Sequence, residues 1–198
     1  MTCFWGQKVA YQYQIRQLRY QQEFEIFKEN LYGSMTLLDD ISLAASERLM
    51  GMERVLWVIN GTSKGDLDAI WDDYYKTVLD WNVKQLVFKT KLIQYIDDDA
   101  LIEDLMDDND SKLVLYQNVE PKSLHGHFLR AHRIIKKLYE CARHNCSEKD
   151  KEFLMNSTQN EINNLGRAIE EYHNEFVKRV YSMAKVSKTD FFNKGNRF

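Results

Sequence analysis

The chain has 198 residues, a net charge of −3, 44% hydrophobic and 29% charged residues, one proline and eight glycines. That balance excludes a disordered segment and a dedicated basic nucleic-acid domain, and the length suits one domain burying about 70% of its unfolded surface. With so few turn-forming residues, long helices are favoured over a β-rich fold with its many corners.

No run reaches the ~18 apolar residues of a transmembrane helix, and Met1 to Trp5 lead into Gln7 and Lys8 with no signal-peptide core. A cytoplasmic location is the expectation. The alternative is an extracytoplasmic piece of an anchored protein, with Phe4 and Trp5 at the membrane edge. Cys3, Cys141 and Cys146 are odd in number and form no CxxC pair, so no zinc site is indicated. Reduced thiols are expected, with a Cys141–Cys146 disulfide across a frayed helix end as the alternative.

Residues 7–31 read as a first helix, with Tyr11, Ile15 and Leu18 followed by Tyr20, Phe24, Phe27 and Leu31 on a shifted stripe. Its basic, glutamine-rich first half has the composition of a nucleic-acid-contacting helix, but the glutamates at 23, 25 and 29 favour a solvated face. Gly33 and Ser34 suggest a C-terminal stop and a new N-cap, giving either a second helix over 35–59 or one kinked rod. The second seam is Leu38, Ile41, Ala45, Leu49, Met52, Leu56 and Ile59.

Residues 60–65 form the strongest turn signal, and Asp66 is placed to cap a third helix running to Ile96. Ile70, Tyr74, Val78, Trp81, Phe88, Leu92 and Tyr95 make its inner face. Trp71, Tyr75, Leu79, Leu86, Val87 and Ile93 make it apolar over more than half its girth. Such a helix is either central or carries a dimer face.

Residues 97–110 are dominated by Asp and Glu and read as a solvated acidic connection holding one short amphipathic turn. A calcium loop starting at Asp107 would place Lys112 where glycine is needed and Asn118 where the closing glutamate belongs, which rejects an EF-hand. Glu103, Asp104 and Asp107 resemble half of an aspartate-rich magnesium box, but no second, facing motif exists. Residues 111–119 read as a short helix or an extended piece, closed by Pro121. Ser123 then caps a fourth helix to about His144, and Ser147 caps a fifth.

The fifth helix carries Ile162, Leu165, Ile169, Tyr172, Phe176, Val180 and Met183 at spacings of three and four, a coiled-coil-like seam that must bury itself against other helices. From Lys185 the composition turns basic and aromatic. Residues 185–198 read as a tail, the one part suited to touch a nucleic acid or membrane surface.

The fold class is therefore all-α, an antiparallel bundle of four to five long helices with a short insertion before helix four. Residues 1–184 form the bundle domain. Two candidate sites follow. Trp57, Trp71 and Trp81 are the candidate lining of a small-ligand pocket. His132, Glu140, Glu170 and His173 are candidate metal ligands, although a carboxylate-bridged di-iron bundle needs a second Glu-x-x-His beside Glu170 and His173, and none is present.

Cys141 and His144 share a helix face but lack an oxyanion-forming loop, and no phosphate-binding loop, nucleotide fingerprint or HExxH occurs. No cofactor is expected. The function expected is a non-enzymatic interaction or assembly protein, self-associating or joining a helical partner through an apolar helix face. The alternatives are a small-ligand sensor bundle and a carboxylate/histidine metal-binding bundle.

Overall fold

The computed structural model describes the backbone of residues 3–117 and 119–195, and side chains over residues 11–185 apart from 108, 111 and 115–118. It is all-helical, with no strand among the described residues: α1 Cys3–Ile59, α2 Leu67–Tyr95, α3 Asp99–Leu105, α4 Asp108–Gln117, α5 Leu124–Arg143 and α6 Glu148–Gly195. No described helix is long and apolar enough to cross a membrane.

The first two predicted helices are one, a rod of about 85 Å at 1.5 Å per residue. Both expected breakers have other uses. Ser34 turns its hydroxyl back to donate to the Asn30 carbonyl at 2.7 Å, so it serves the helix it was expected to restart. At Gly33 an added Cβ would lie 2.8 Å from Cε1 of Tyr95. The glycine is there because the Tyr95 ring lies on the α1 backbone, not because the helix stops.

The caps read from sequence are in place. Asp66 accepts from the Asp68 amide at 3.0 Å, Ser123 from the Gly126 amide at 3.0 Å and Ser147 from the Asp150 amide at 3.1 Å. Each satisfies a donor that a helix N-terminus leaves open. Gly61, at φ 77°, takes the left-handed conformation in the turn that ends α1.

The acidic segment is solvated in part, with Asp97, Asp99, Glu103 and Asp104 exposed and the expected amphipathic turn present as α3, but two of its carboxylates are anchored. Asp98 caps α3, accepting from the Ala100 and Leu101 amides, and takes both carboxylate oxygens to Arg179 Nη1 of α6 at 3.0 and 2.8 Å. Leu101 and Leu105 are fully buried. Asp110, on α4, is 3% exposed and accepts from the Lys122 amide, the Ser123 amide and the Ser123 hydroxyl at 3.0, 2.8 and 2.7 Å. These carboxylates are anchors that fold the insertion back onto α5 and α6.

Cys141 and Cys146 form a disulfide, Cα–Cα 5.0 Å, against the expectation of reduced thiols. A separation of five is poor within a regular helix, but α5 does not continue as one. The Cys146 amide donates to the Cys141 carbonyl at 3.1 Å across Asn145, whose φ is 52°. This is a Schellman stop with Asn in the left-handed position, a motif that brings the side chains of these two positions together. Cys146→Ser is expected to cost about 2 kcal/mol, from loop entropy alone. Urea unfolding with and without reductant measures this, and a midpoint insensitive to reductant would contradict it.

The core lies among α1, α2, α5 and α6. Asp40 meets Lys91 at 3.2 Å and Gly51 packs on Tyr74, so α2 numbers fall as α1 numbers rise. Ser42 reaches His173 on α6, while Arg130 of α5 pairs with Glu161 of α6 at 3.0 Å. Between α2 and α5 large side chains span the gap: Tyr139 donates to Asp68 at 2.6 Å and Trp81 to His125 at 3.2 Å. Ile162, Leu165, Tyr172, Phe176 and Val180 of the α6 seam are buried there.

Residues 185–195 continue α6 as helix. Their side chains beyond Lys185, the aromatic and basic groups of the predicted tail, lie outside the described residues, as do residues 196–198.

Candidate functional site

The three tryptophans do not converge. Trp57 is 46% exposed. Trp71 is half-buried and stacks on Tyr139 of α5, ring centroids 4.3 Å apart and 7° from parallel. Trp81 is enclosed in the core, packed on Phe128 with its centroid at 4.5 Å. Ten residues of helix separate Trp71 from Trp81, about 15 Å along the axis. Helical register, not shared apolar character, decides which rings meet.

The candidate metal ligands are dispersed as well. His132 Nδ1 lies 2.8 Å from the Tyr74 hydroxyl of α2, whereas His173 Nδ1 lies 3.3 Å from the Ser42 hydroxyl of α1. Glu140 is exposed opposite Lys136, and Glu170 is exposed. Among the described residues no group of three or more His, Cys, Asp or Glu is placed to hold a metal ion.

A polar cluster does occupy the core, around a residue the sequence reading passed over. Arg48 is 0% exposed. Its guanidinium lies 4.4 Å from the Phe128 ring centroid, and Nη2 donates to the Phe128 carbonyl at 3.3 Å, while Nε and Nη1 have no partner. Burial lowers its pKa to about 10, partly offset by Tyr74, so it is still a cation at neutral pH. Burial pushes the Tyr74 hydroxyl well above its usual range. His132 is lowered to about 4, first by burial and then by Arg48 and Lys136. Tyr74 therefore stays protonated beside a neutral imidazole. The signal was available: Ile41, Ala45, Arg48 and Met52 are four, three and four apart, which sets the arginine on the buried seam.

A cleft of about 460 Å³ opens between α3, the start of α5 and α6. Asp104, Lys122, His127, Glu171, Tyr172 and Glu175 are among its lining residues. Tyr172 is 5% exposed and its hydroxyl has no hydrogen-bond partner. Burial, then the charge of Asp104, pushes that hydroxyl far above its usual range. Burial lowers His127, and burial raises the carboxyl of Asp104. Composition gave no hint of this site, because its parts come from three distant segments.

The third feature is a surface. On α2 the core takes Tyr74, Val78, Trp81, Phe88 and Leu92, while Leu79, Val83, Leu86 and Ile93 are 50%, 67%, 60% and 51% exposed. With exposed Thr90 these are spaced four, three, four and three, a second seam on the same helix. No family model, curated protein or solved structure matches the chain, so function is argued from these three features.

Proposed function

We propose that this chain is a non-enzymatic helical assembly protein that pairs with a second copy through the outer face of α2. The contacts among α1, α2, α5 and α6 fit an antiparallel four-helix bundle, with α3 and α4 as the insertion that precedes α5. One observation carries the reading. Leu79, Val83, Leu86, Thr90 and Ile93 form an uninterrupted uncharged strip on the solvent side of a helix whose opposite side already serves the core.

Such a strip, about 21 Å long, has a coiled-coil period and stays exposed among the described residues. Burying its four large apolar side chains is worth on the order of 1–2 kcal/mol each from the half-exposed state. It is also self-complementary. A two-fold axis at Leu86 would set Leu79 against Ile93 and Val83 against Thr90 in an isologous contact. Tyr75 and Val87, 45% and 49% exposed, flank the strip and would widen the contact.

Light scattering coupled to size exclusion is expected to give a dimer whose population rises with concentration. Leu86→Glu is expected to leave helicity unchanged and yield a monomer, since Leu86 is 60% exposed and lies outside the buried core. A wild-type chain that stays monomeric at high concentration would remove the proposal.

A further inference from the structure

We propose that the end of the molecule where α1 begins and α6 finishes docks on the surface of an anionic phospholipid bilayer. The Ser42 hydroxyl of α1 lies 3.3 Å from His173 of α6, and further along Glu23, Phe27 and Leu31 line one groove with Val180 and Met183. Numbers fall on α1 as they rise on α6, so the two helices are antiparallel and share this end. α2 stops at Tyr95, whose ring lies on Gly33. Beyond that level α1 runs on for about 45 Å and α6 for about 22 Å, at 1.5 Å per residue. The α2 face contributes no residue to this two-helix arm, so the inference stands apart from the dimer.

The first support is charge. Residues 1–32 carry Lys8, Arg16, Arg19 and Lys28 against Glu23, Glu25 and Glu29, and residues 181–198 carry Lys185, Lys188, Lys194 and Arg197 against Asp190. Together they net +4 in a chain of −3, which leaves −7 for the body. The first 22 residues hold three cations and no acid. Screening at physiological salt acts over about 8 Å, so over most of the arm the distant body does not cancel this charge. A planar anionic surface attracts the arm and turns the acidic body away. The basic tail is thus joined, at the same end, by a second basic segment.

The second support is the apolar surface among these charges. Tyr11, Tyr13, Leu18 and Ile26 are each more than half exposed. Tyr11, Ile15 and Leu18, four and three apart, share one face of α1. Cations mixed with tyrosines and aliphatic side chains fit the headgroup–acyl boundary, where the apolar groups leave water and the cations meet lipid phosphates. Two other occupants fit less well. A second copy of the arm would set +4 against +4. A nucleic acid would satisfy the cations and stack on the tyrosines, but it would leave Leu18 and Ile26 in water.

The test is co-sedimentation of the full-length protein with vesicles of phosphatidylcholine alone and of phosphatidylcholine with about one-third phosphatidylserine. Binding is expected on the anionic vesicles only, and it should weaken as salt rises from about 0.1 M to about 0.5 M. Arg16→Glu with Arg19→Glu is expected to weaken it roughly tenfold or more. Lys64→Glu with Lys149→Glu makes the same change in net charge at two exposed lysines of the opposite end, and should leave binding near wild type. Leu18→Gln keeps both charge and helix propensity and should weaken binding roughly threefold or more through lost apolar contact. Circular dichroism checks that each variant keeps its helicity. The proposal fails if anionic vesicles do not bind, if neutral vesicles bind equally well, if the two charge-reversed pairs weaken binding equally, or if Leu18→Gln binds as wild type does. Binding of a single-stranded RNA oligonucleotide in place of anionic vesicles would overturn it in favour of a nucleic acid.

Discussion

Gly126→Ala is expected to be among the most damaging single substitutions in the chain, costing about 3–5 kcal/mol from overpacking together with a disrupted buried carboxylate. A Cβ at this position would lie 2.2 Å from Oδ2 of Asp110 and 3.2 Å from Cβ of Pro121. Neither neighbour can yield easily. Asp110 is buried and fixed by the Lys122 amide, the Ser123 amide and the Ser123 hydroxyl. That same hydroxyl accepts from the Gly126 amide and caps α5.

The methyl group therefore strikes the carboxylate that holds the cap, and one clash unpicks the entry into α5 and the docking of α4. Urea unfolding of Gly126→Ala against Gly166→Ala makes the comparison, since a Cβ at Gly166 meets nothing within 4 Å. Replacing Asp110 by serine in the Gly126→Ala background should recover part of the loss through relief of the clash, a coupling that a double-mutant cycle reads directly. Equal effects at the two glycines would show that the contact carries no energy.

Arg48→Met is expected to change stability in the opposite direction, by about 1–4 kcal/mol in favour of the folded state. The guanidinium is fully buried, donates to the Phe128 carbonyl, and leaves Nε and Nη1 without acceptors. Methionine keeps an unbranched apolar chain against Phe128 and removes the desolvated charge. Failure to unfold later in urea would mean that the stacking on Phe128 and the bond to its carbonyl outweigh the burial cost.

The same substitution has a second reading in the pH dependence. His132 is lowered to about 4, against an ordinary value near 6.5. Between these values the unfolded chain binds a proton that the folded chain refuses, so stability rises with pH across the window and is lost as pH falls from 6.5 towards 4. The slope is about 1.4 kcal/mol per pH unit at most, and partial solvent access at His132 brings the total to about 2–3 kcal/mol. Removing the Arg48 charge relaxes one cause of the shift, so Arg48→Met should show a shallower acid loss than wild type. Urea midpoints at pH 4, 5, 6 and 7 check both statements.

Local chemistry made much of the helical framework legible. The periods of three and four in α5 and α6, the caps at Asp66, Ser123 and Ser147, and the turn before α2 all operate within a few residues of themselves. The misreadings share a cause. Gly33 looked like a stop because the Tyr95 ring that requires it is sixty-two positions away in sequence. Cys141 and Cys146 looked too far apart because the left-handed Asn145 between them was not assumed. The acidic segment looked solvated because Arg179, which neutralises Asp98, comes from the far end of the chain.

The candidate sites show the same division more sharply. Tryptophans and histidines were grouped by residue type, whereas the bundle sorted them by register: Trp81 to His125, His132 to Tyr74, His173 to Ser42. The sequence alone determined that the chain is helical, where most helices begin, and that α2 is apolar on more sides than one core can use. Those are properties of single segments, set by capping, period and burial demand. Only the tertiary structure decided which α2 face lies outside, that Arg48 is sealed in the core, and that Tyr172, its buried hydroxyl unpartnered, lines a cleft. Each of these depends on contacts between distant segments, and local pattern does not encode them.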